Sequence, residues 1–159
     1  MAQKKQLDDE EKSLSFSQGV IDMMPLSISV LPWGILAGSV AIQAGLSVSQ
    51  AIAMSAIVFA GAAQLVSLGM VMSGASAITI FFTIFLITSQ HFIYALTLRQ
   101  NIAPLSLKDR LPLGFLLTDE LFAVAISKLD RNKKYLLGAG LSFYIAWVLF
   151  SVLGIYLAS

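Results

Sequence analysis

Two adjacent carboxylates, Asp119 and Glu120, stand inside an apolar stretch that runs from about Leu111 to Ser127. An acid near the centre of a bilayer costs about 2.5–3.5 kcal/mol on insertion scales, so a chain that keeps two there has a use for them. They suit a cation, an ammonium group or a proton. The competing reading is structural: one acid pairs with a basic residue, or helps to cap a half-helix at Thr118. Neighbouring helical residues point about 100° apart, so the two acids divide whatever roles exist. His91 lies in a second apolar stretch, with Thr88 one turn before it and Tyr94 one turn after. Histidine titrates near neutral pH, which makes proton coupling its sharpest reading, although the spacing alone favours a hydrogen-bonded structural residue. Gln64 places a long amide beside Ala60-Gly61-Ala62-Ala63. It is either a clamp between helices or a substrate contact over a surface opened by small residues, since a buried amide must find partners. Asp22, at the edge of the first apolar run, reads as an interface cap.

These residues sit in a chain with little other charge. From Met23 to Leu98 there is no Asp, Glu, Lys or Arg, and over all 159 residues only 12% are charged while 57% are apolar. A typical soluble chain is about one quarter charged, so most of this surface faces lipid. Five apolar stretches follow: approximately Gln18–Ala44, Val48–Met72, Ala75–Leu98, Leu111–Ser127 and Tyr135–Ala158. A crossing helix needs about 20 residues. Four stretches reach that length and the fourth in order falls short. The fold class is therefore an all-α polytopic membrane protein with one transmembrane domain over residues 18–159. Residues 1–17 are expected to form a solvated, disordered cytoplasmic tail, with no cleavable signal peptide.

Topology is constrained by where the bases fall. All ten lie in three clusters: Lys4, Lys5 and Lys12; then Arg99, Lys108 and Arg110; then Lys128, Arg131, Lys133 and Lys134. Basic loops stay cytoplasmic, so the chain must cross an even number of times between successive clusters. Three stretches occupy the first interval and one the second. Some segments therefore enter the membrane without crossing it. The first candidate is Gln18–Ala44, broken by Pro25 and Pro32-Trp33-Gly34, because proline removes a helix hydrogen bond and clashes with the preceding turn. The second is Leu111–Ser127, with Pro112, Gly114 and the acid pair. The alternative is a simple proline kink with one basic loop on the wrong side. Broken backbone at membrane depth is tolerated where protein shields it or where it lines a cavity. Gly34 and Gly38 form a small-xxx-small pair that lets helices approach closely.

The absence of cysteine, together with a single histidine, argues against a structural zinc site. No nucleotide-binding, hydrolase-elbow or metalloprotease motif occurs. The expectation is a protein that is not an enzyme, uses no cofactor, holds no metal and binds no nucleic acid.

Several blocks together carry a resemblance. They are Gly19, Pro25, Pro32-Trp33-Gly34 and Gly38; Gly45, Ser55 and Phe59-Ala60-Gly61-Ala62-Ala63-Gln64; His91 with Tyr94; and Leu117-Thr118-Asp119-Glu120-Leu121-Phe122-Ala123 with Lys128-Leu129-Asp130-Arg131-Asn132. In order and spacing, from about Ser17 to Lys134, they resemble the AzlC family, the large subunits of branched-chain amino acid exporters. The resemblance implies a multi-pass protein of the cytoplasmic (inner) membrane with a cytoplasmic N-terminus. It implies secondary export of leucine, isoleucine, valine and methionine, with proton coupling as an option and a small AzlD-type membrane subunit as partner. The pathway residues it points to are Pro32, Trp33, Gly34, Gly61, Gln64, Gln90, His91, Tyr94, Asp119 and Glu120. Two departures stand out. Relatives carry Arg-His at the end of the third stretch, where this chain reads Gln90-His91, so only a neutral hydrogen bond is available there. Relatives also continue past the position of Ser159, so the chain reads as a truncated form, a naturally short form or half of a split transporter, and a half transporter would need a partner to close its pathway. The competing class is a non-transporting membrane scaffold subunit, in which every polar residue named above is satisfied by protein.

Overall fold

The computed structural model describes residues 15–126 and 132–159. Residues 1–14 of the tail and residues 127–131 lie outside the described residues, and the last two residues of the expected tail, Phe16 and Ser17, are helical. Every element among the described residues is helical: α1 (Phe16–Ser29), α2 (Leu31–Gln43), α3 (Val48–Val58), α4 (Gly61–Met72), α5 (Ala77–Thr88), α6 (Gln90–Thr97), α7 (Arg99–Ile102), α8 (Leu107–Phe115), α9 (Asp119–Ile126) and α10 (Lys133–Ala158). The chain forms two compact units. One contains residues up to Leu26 and Tyr94–Phe143; the other contains Ser27–Ile93 and Tyr144–Ser159. The all-α membrane architecture read from composition is present, and so are its broken helices.

In the second unit, α2 packs on the C-terminal part of α10 without side chains between them. A Cβ on Gly34 would lie 2.6 Å from Cβ of Phe150, one on Gly38 would collide with the Ser151 carbonyl, and one on Gly154 with the Ile35 carbonyl. The Ser39 hydroxyl donates to the Gly154 carbonyl at 3.1 Å. Positions in α2 and α10 increase together along this seam, so the two helices run in the same direction. The first unit has a matching seam, where Gly19 meets Tyr135 and Ala139, and Gly138 meets the Phe16 carbonyl. The pair α1–α2 thus starts beside the start of α10 and ends beside its end. The break expected near Pro32–Gly34 falls at Val30, and the two helices are bent by 56°. Pro32 lacks an N–H for the Ile28 carbonyl and its ring crowds that carbonyl, which puts the break two residues before the proline. α1–α2 is therefore a bent span and not the returning hairpin that the proline suggests.

The hairpin is the next stretch instead. Val48–Met72 reads as one helix in sequence, but it stops at Val58 and restarts at Gly61. Ala51 of α3 and Leu68 of α4 share one buried cluster with Ala41 and Ile155, although a continuous helix would hold them about 26 Å apart. Ser55 and Gln64, nine residues apart, are joined by a 2.9 Å hydrogen bond. α3 and α4 are therefore antiparallel. Each is about 16–18 Å long, half of the roughly 30 Å hydrocarbon core of a bilayer. Their base lies against Ile155 and their tip reaches Tyr144, about 16 Å back along α10.

Capping sets where each arm begins. Gly45 at φ +87° turns the chain out of α2, and Ser47 with Gln50 closes a capping box at the start of α3. Gly74 at φ +73° and the Ser76 cap do the same before α5. The span Ala77–Thr97, formed by α5 and α6, has none of its apolar window buried within the protein.

In the first unit the fourth stretch also returns. Lys133 pairs with Asp109 at 2.6 Å, so the chain between them leaves and regains one place. α8 carries it along α10 until Leu116 packs against Gly140, and α9 leads away from Thr118. The break expected in the fourth stretch is thus present, between Phe115 and Asp119.

Three outcomes follow from these contacts. Gly38→Ala should cost about 1–3 kcal/mol through overpacking, measured by reversible unfolding in detergent. Gly69→Ala, with nothing within 4 Å of the added Cβ, should be neutral or stabilising by up to about 1 kcal/mol. The hydrogen bond from Lys133, helped by one from Ser106, holds the Asp109 carboxyl below the ordinary carboxylate value. Its contribution is present above the unfolded value of about 3.9 and is lost as pH falls through the lower folded value. The stability gap between wild type and Asp109→Asn should therefore close in acid and shrink with added salt, read as melting temperature against pH.

Candidate functional site

The tip of the α3–α4 hairpin holds the densest set of polar contacts inside the apolar part of the second unit. When α3 ends at Val58, its last four carbonyls lose their helical partners. Two are met by α10: Trp147 Nε1–H donates to the Ser55 carbonyl at 3.2 Å, and the Tyr144 hydroxyl donates to the Ala56 carbonyl at 3.0 Å. Phe59 then turns the chain with φ 39° and ψ 45°, a left-handed conformation that is a true outlier for a bulky residue. Its ring is 5% exposed and stands edge-on to Tyr144, with centroids 5.0 Å apart. Packing of that ring offsets the backbone strain. Gly61 opens α4 against the Trp147 indole, whose nearest atom would lie 3.0 Å from an added Cβ.

Behind the tip, Gln64 is fully buried. Its Nε2 donates to Ser55 Oγ at 2.9 Å, and its Oε1 has no hydrogen-bond partner. The clamp read from sequence is therefore half of the arrangement, and the other half is an unmet acceptor. The structure also places two residues that sequence reasoning passed over, Tyr144 and Trp147. The signal available was that aromatic side chains with an O–H or N–H in an apolar helix look for a hydrogen-bond acceptor.

The remaining expected residues divide between the units. In the second unit Pro32 and Trp33 are exposed, and Gly34 is a packing contact with α10. Gln90 and His91 are half-buried at the start of α6. His91 Nδ1 lies 2.9 Å from the Thr88 carbonyl. A carbonyl can only accept, so Nδ1 carries the proton in that contact.

In the first unit Thr118 caps α9, its hydroxyl accepting from Leu121 N–H at 3.3 Å. Asp119 and Glu120 occupy the first turn of α9, where the helix dipole favours acids by about 0.3–1 kcal/mol. Asp119 is exposed and Glu120 half-buried. Tyr94 stacks on Phe122 of α9, centroids 4.4 Å apart. Asp22 has both carboxylate oxygens engaged, by Gln18 Nε2 at 2.7 Å and by the Tyr135 hydroxyl at 2.8 Å. That is a structural lock between α1 and α10, where its position had suggested an interface cap.

The family model described as AzlC protein matches residues 25–159. The chain belongs to the AzlC family. It is 32% identical over 153 residues to the inner membrane protein YgaZ of Escherichia coli K12, covering 92% of this chain and 62% of that protein. It is 35% identical over 150 residues to an uncharacterized membrane protein of Archaeoglobus fulgidus, covering 93% of this chain and 65% of that one. The chain thus spans less than two thirds of the length of these relatives. No solved structure matches it. The AzlC match extends past the blocks from which the resemblance was read and includes α10, the helix that caps the hairpin.

Removing those caps has a measurable cost. Trp147→Phe should leave the Ser55 carbonyl unpaired and cost about 1–3 kcal/mol. Tyr144→Phe, at a half-buried position, should cost about 1 kcal/mol or less. Chemical unfolding in detergent checks both, and Trp147→Phe must be the worse for the capping account to hold.

Proposed function

We propose that this chain is a subunit of a secondary exporter of branched-chain amino acids in the cytoplasmic membrane, acting with a small AzlD-type partner. The observation that carries the reading is the α3–α4 hairpin, which enters and returns at one end with its tip against the middle of α10. Discontinuous helices that place backbone ends at membrane depth are the usual substrate sites of secondary transporters, and such backbone is tolerated only in the shelter of protein or beside a cavity.

The hairpin also satisfies the charge clusters. With the tail cytoplasmic, α1–α2 crosses outward, α3–α4 enters from outside and returns, and α5–α6 crosses inward to Arg99. The α8–α9 stretch then enters from inside and returns to Lys133, and α10 crosses outward. All ten bases lie on the cytoplasmic side. Pro32, Trp33, Gly34, Gly61, Gln64 and Gln90 are assigned to the pathway with Tyr94. Asp119 and Glu120 serve as a cation or proton site, and His91 serves proton coupling. An apolar pocket separates substrates differing by one methylene by only about 1–3 kcal/mol, so leucine, isoleucine, valine and methionine share one route.

A scaffold subunit is the competing class, supported by the satisfied Asp22 and the His91 hydrogen bond. The unpartnered Gln64 Oε1 argues against it.

Cells lacking other exporters should export these four amino acids when this chain and an AzlD-type partner are co-expressed, and not when the partner is omitted. Export that survives Asp119→Asn with Glu120→Gln removes the acid site from the mechanism. Single cysteines at Ser47 and Gly74 should react with an impermeant thiol reagent added outside, and one at Lys108 should not; the reverse pattern overturns the topology.

A further inference from the structure

Gln64 presents an unmet acceptor in a place where unmet donors lie beside it. Its amide is fully buried, Nε2 is committed to Ser55, and Oε1 accepts from nothing, a state that costs about as much as a lost hydrogen bond. Side chains on a helix lean toward its N-terminus, which directs the Gln64 side chain from α4 back toward the start of that helix. The first N–H groups of α4 have no acceptor within the helix, and no side chain caps them. Ala62 is exposed and Gly61 half-buried, so this first turn is open to approach. A helix start carries about half a positive charge and suits an anion. An anion site with an acceptor next to it is the complement of a carboxylate with an ammonium next to it.

We propose that the start of α4 and Gln64 together seat the main-chain groups of an amino acid. The carboxylate accepts from the N–H groups of Gly61 and Ala62, and the ammonium donates to Gln64 Oε1. This rests on the export reading and adds to it, since it gives the head group of the substrate to the hairpin tip. It also gives Ser55 a positioning role: by accepting from Nε2 it fixes which end of the amide faces the ligand. The aromatic pair Tyr144 and Trp147 holds the turn that presents both groups.

The test uses this chain with its AzlD-type partner in lipid nanodiscs, titrated with leucine, with 4-methylpentanoate, which keeps the carboxylate and lacks the ammonium, and with leucinamide, which lacks the carboxylate. Wild type should bind leucine most tightly. Gln64→Leu should weaken leucine by about tenfold or more and leave 4-methylpentanoate unchanged. Gln64→Glu, which retains an acceptor, should keep the advantage of leucine over 4-methylpentanoate, and it carries the test alone if Gln64→Leu does not fold by melting temperature. Leucine binding untouched by Gln64→Leu, equal weakening of both ligands, loss of the leucine advantage in Gln64→Glu, or leucinamide binding as tightly as leucine to wild type each overturn the proposal and leave export standing. A wild-type complex that binds no leucine overturns both.

Discussion

The carbonyls left behind where α3 stops are the constraint around which the second unit is arranged. In lipid no water is available to bond them, and each unsatisfied group costs several kcal/mol. A helix can end there only if other side chains supply donors. Trp147 and Tyr144 do so from one face of α10. They lie three residues apart, a spacing that places both on the same side of the helix. The same pair packs against Phe59 and Gly61, so the residues that satisfy the end of α3 also shape the turn into α4. An unfavourable backbone conformation at Phe59 persists because its surroundings leave no better arrangement.

The glycine seams make this possible. A hairpin half a bilayer deep needs a long helix held close to its partner, and α10 meets α1 and α2 through Gly19, Gly34, Gly38, Gly138 and Gly154. Backbones that approach this closely gain dispersion contacts which lipid tails cannot supply better than protein. Ser39 adds a hydrogen bond across the seam. The consequence is a fixed line of reference along α10, with Ile155 at the hairpin base and Tyr144 at its tip.

Two returning segments of different character emerge. In α3–α4 the tip buries Ser55, Phe59 and Gln64 while Val58 and Ala62 stay exposed, and its helix start has no side-chain cap. In α8–α9 the break is capped by Thr118 and followed by two acids. Acids in a first turn relieve the positive end of α9, whereas nothing within α4 relieves its own. That difference leaves the start of α4, unlike that of α9, without a side-chain cap or an acid in its first turn.

Composition and charge placement by themselves determined that this is an all-α membrane protein, that five stretches are apolar and that some of them are broken. Those conclusions depend on quantities that add along the chain: hydrophobicity, length and the side on which bases lie. A cap at Thr118 was also legible, because capping hydrogen bonds span only a few residues, whereas the bond from Tyr135 to Asp22 joins residues far apart in sequence. Which of the first two stretches returns was decided only by tertiary structure. Pro32 advertises a break, yet α2 continues along α10 because Gly34 and Gly38 let it. Phe59-Ala60 carries no breaking residue, yet the chain reverses there because Trp147 and Tyr144, almost ninety residues away, satisfy the carbonyls that reversal exposes. A contact across that separation has no local signature, so the hairpin and the unmet acceptor of Gln64 beside it belong to the folded structure alone.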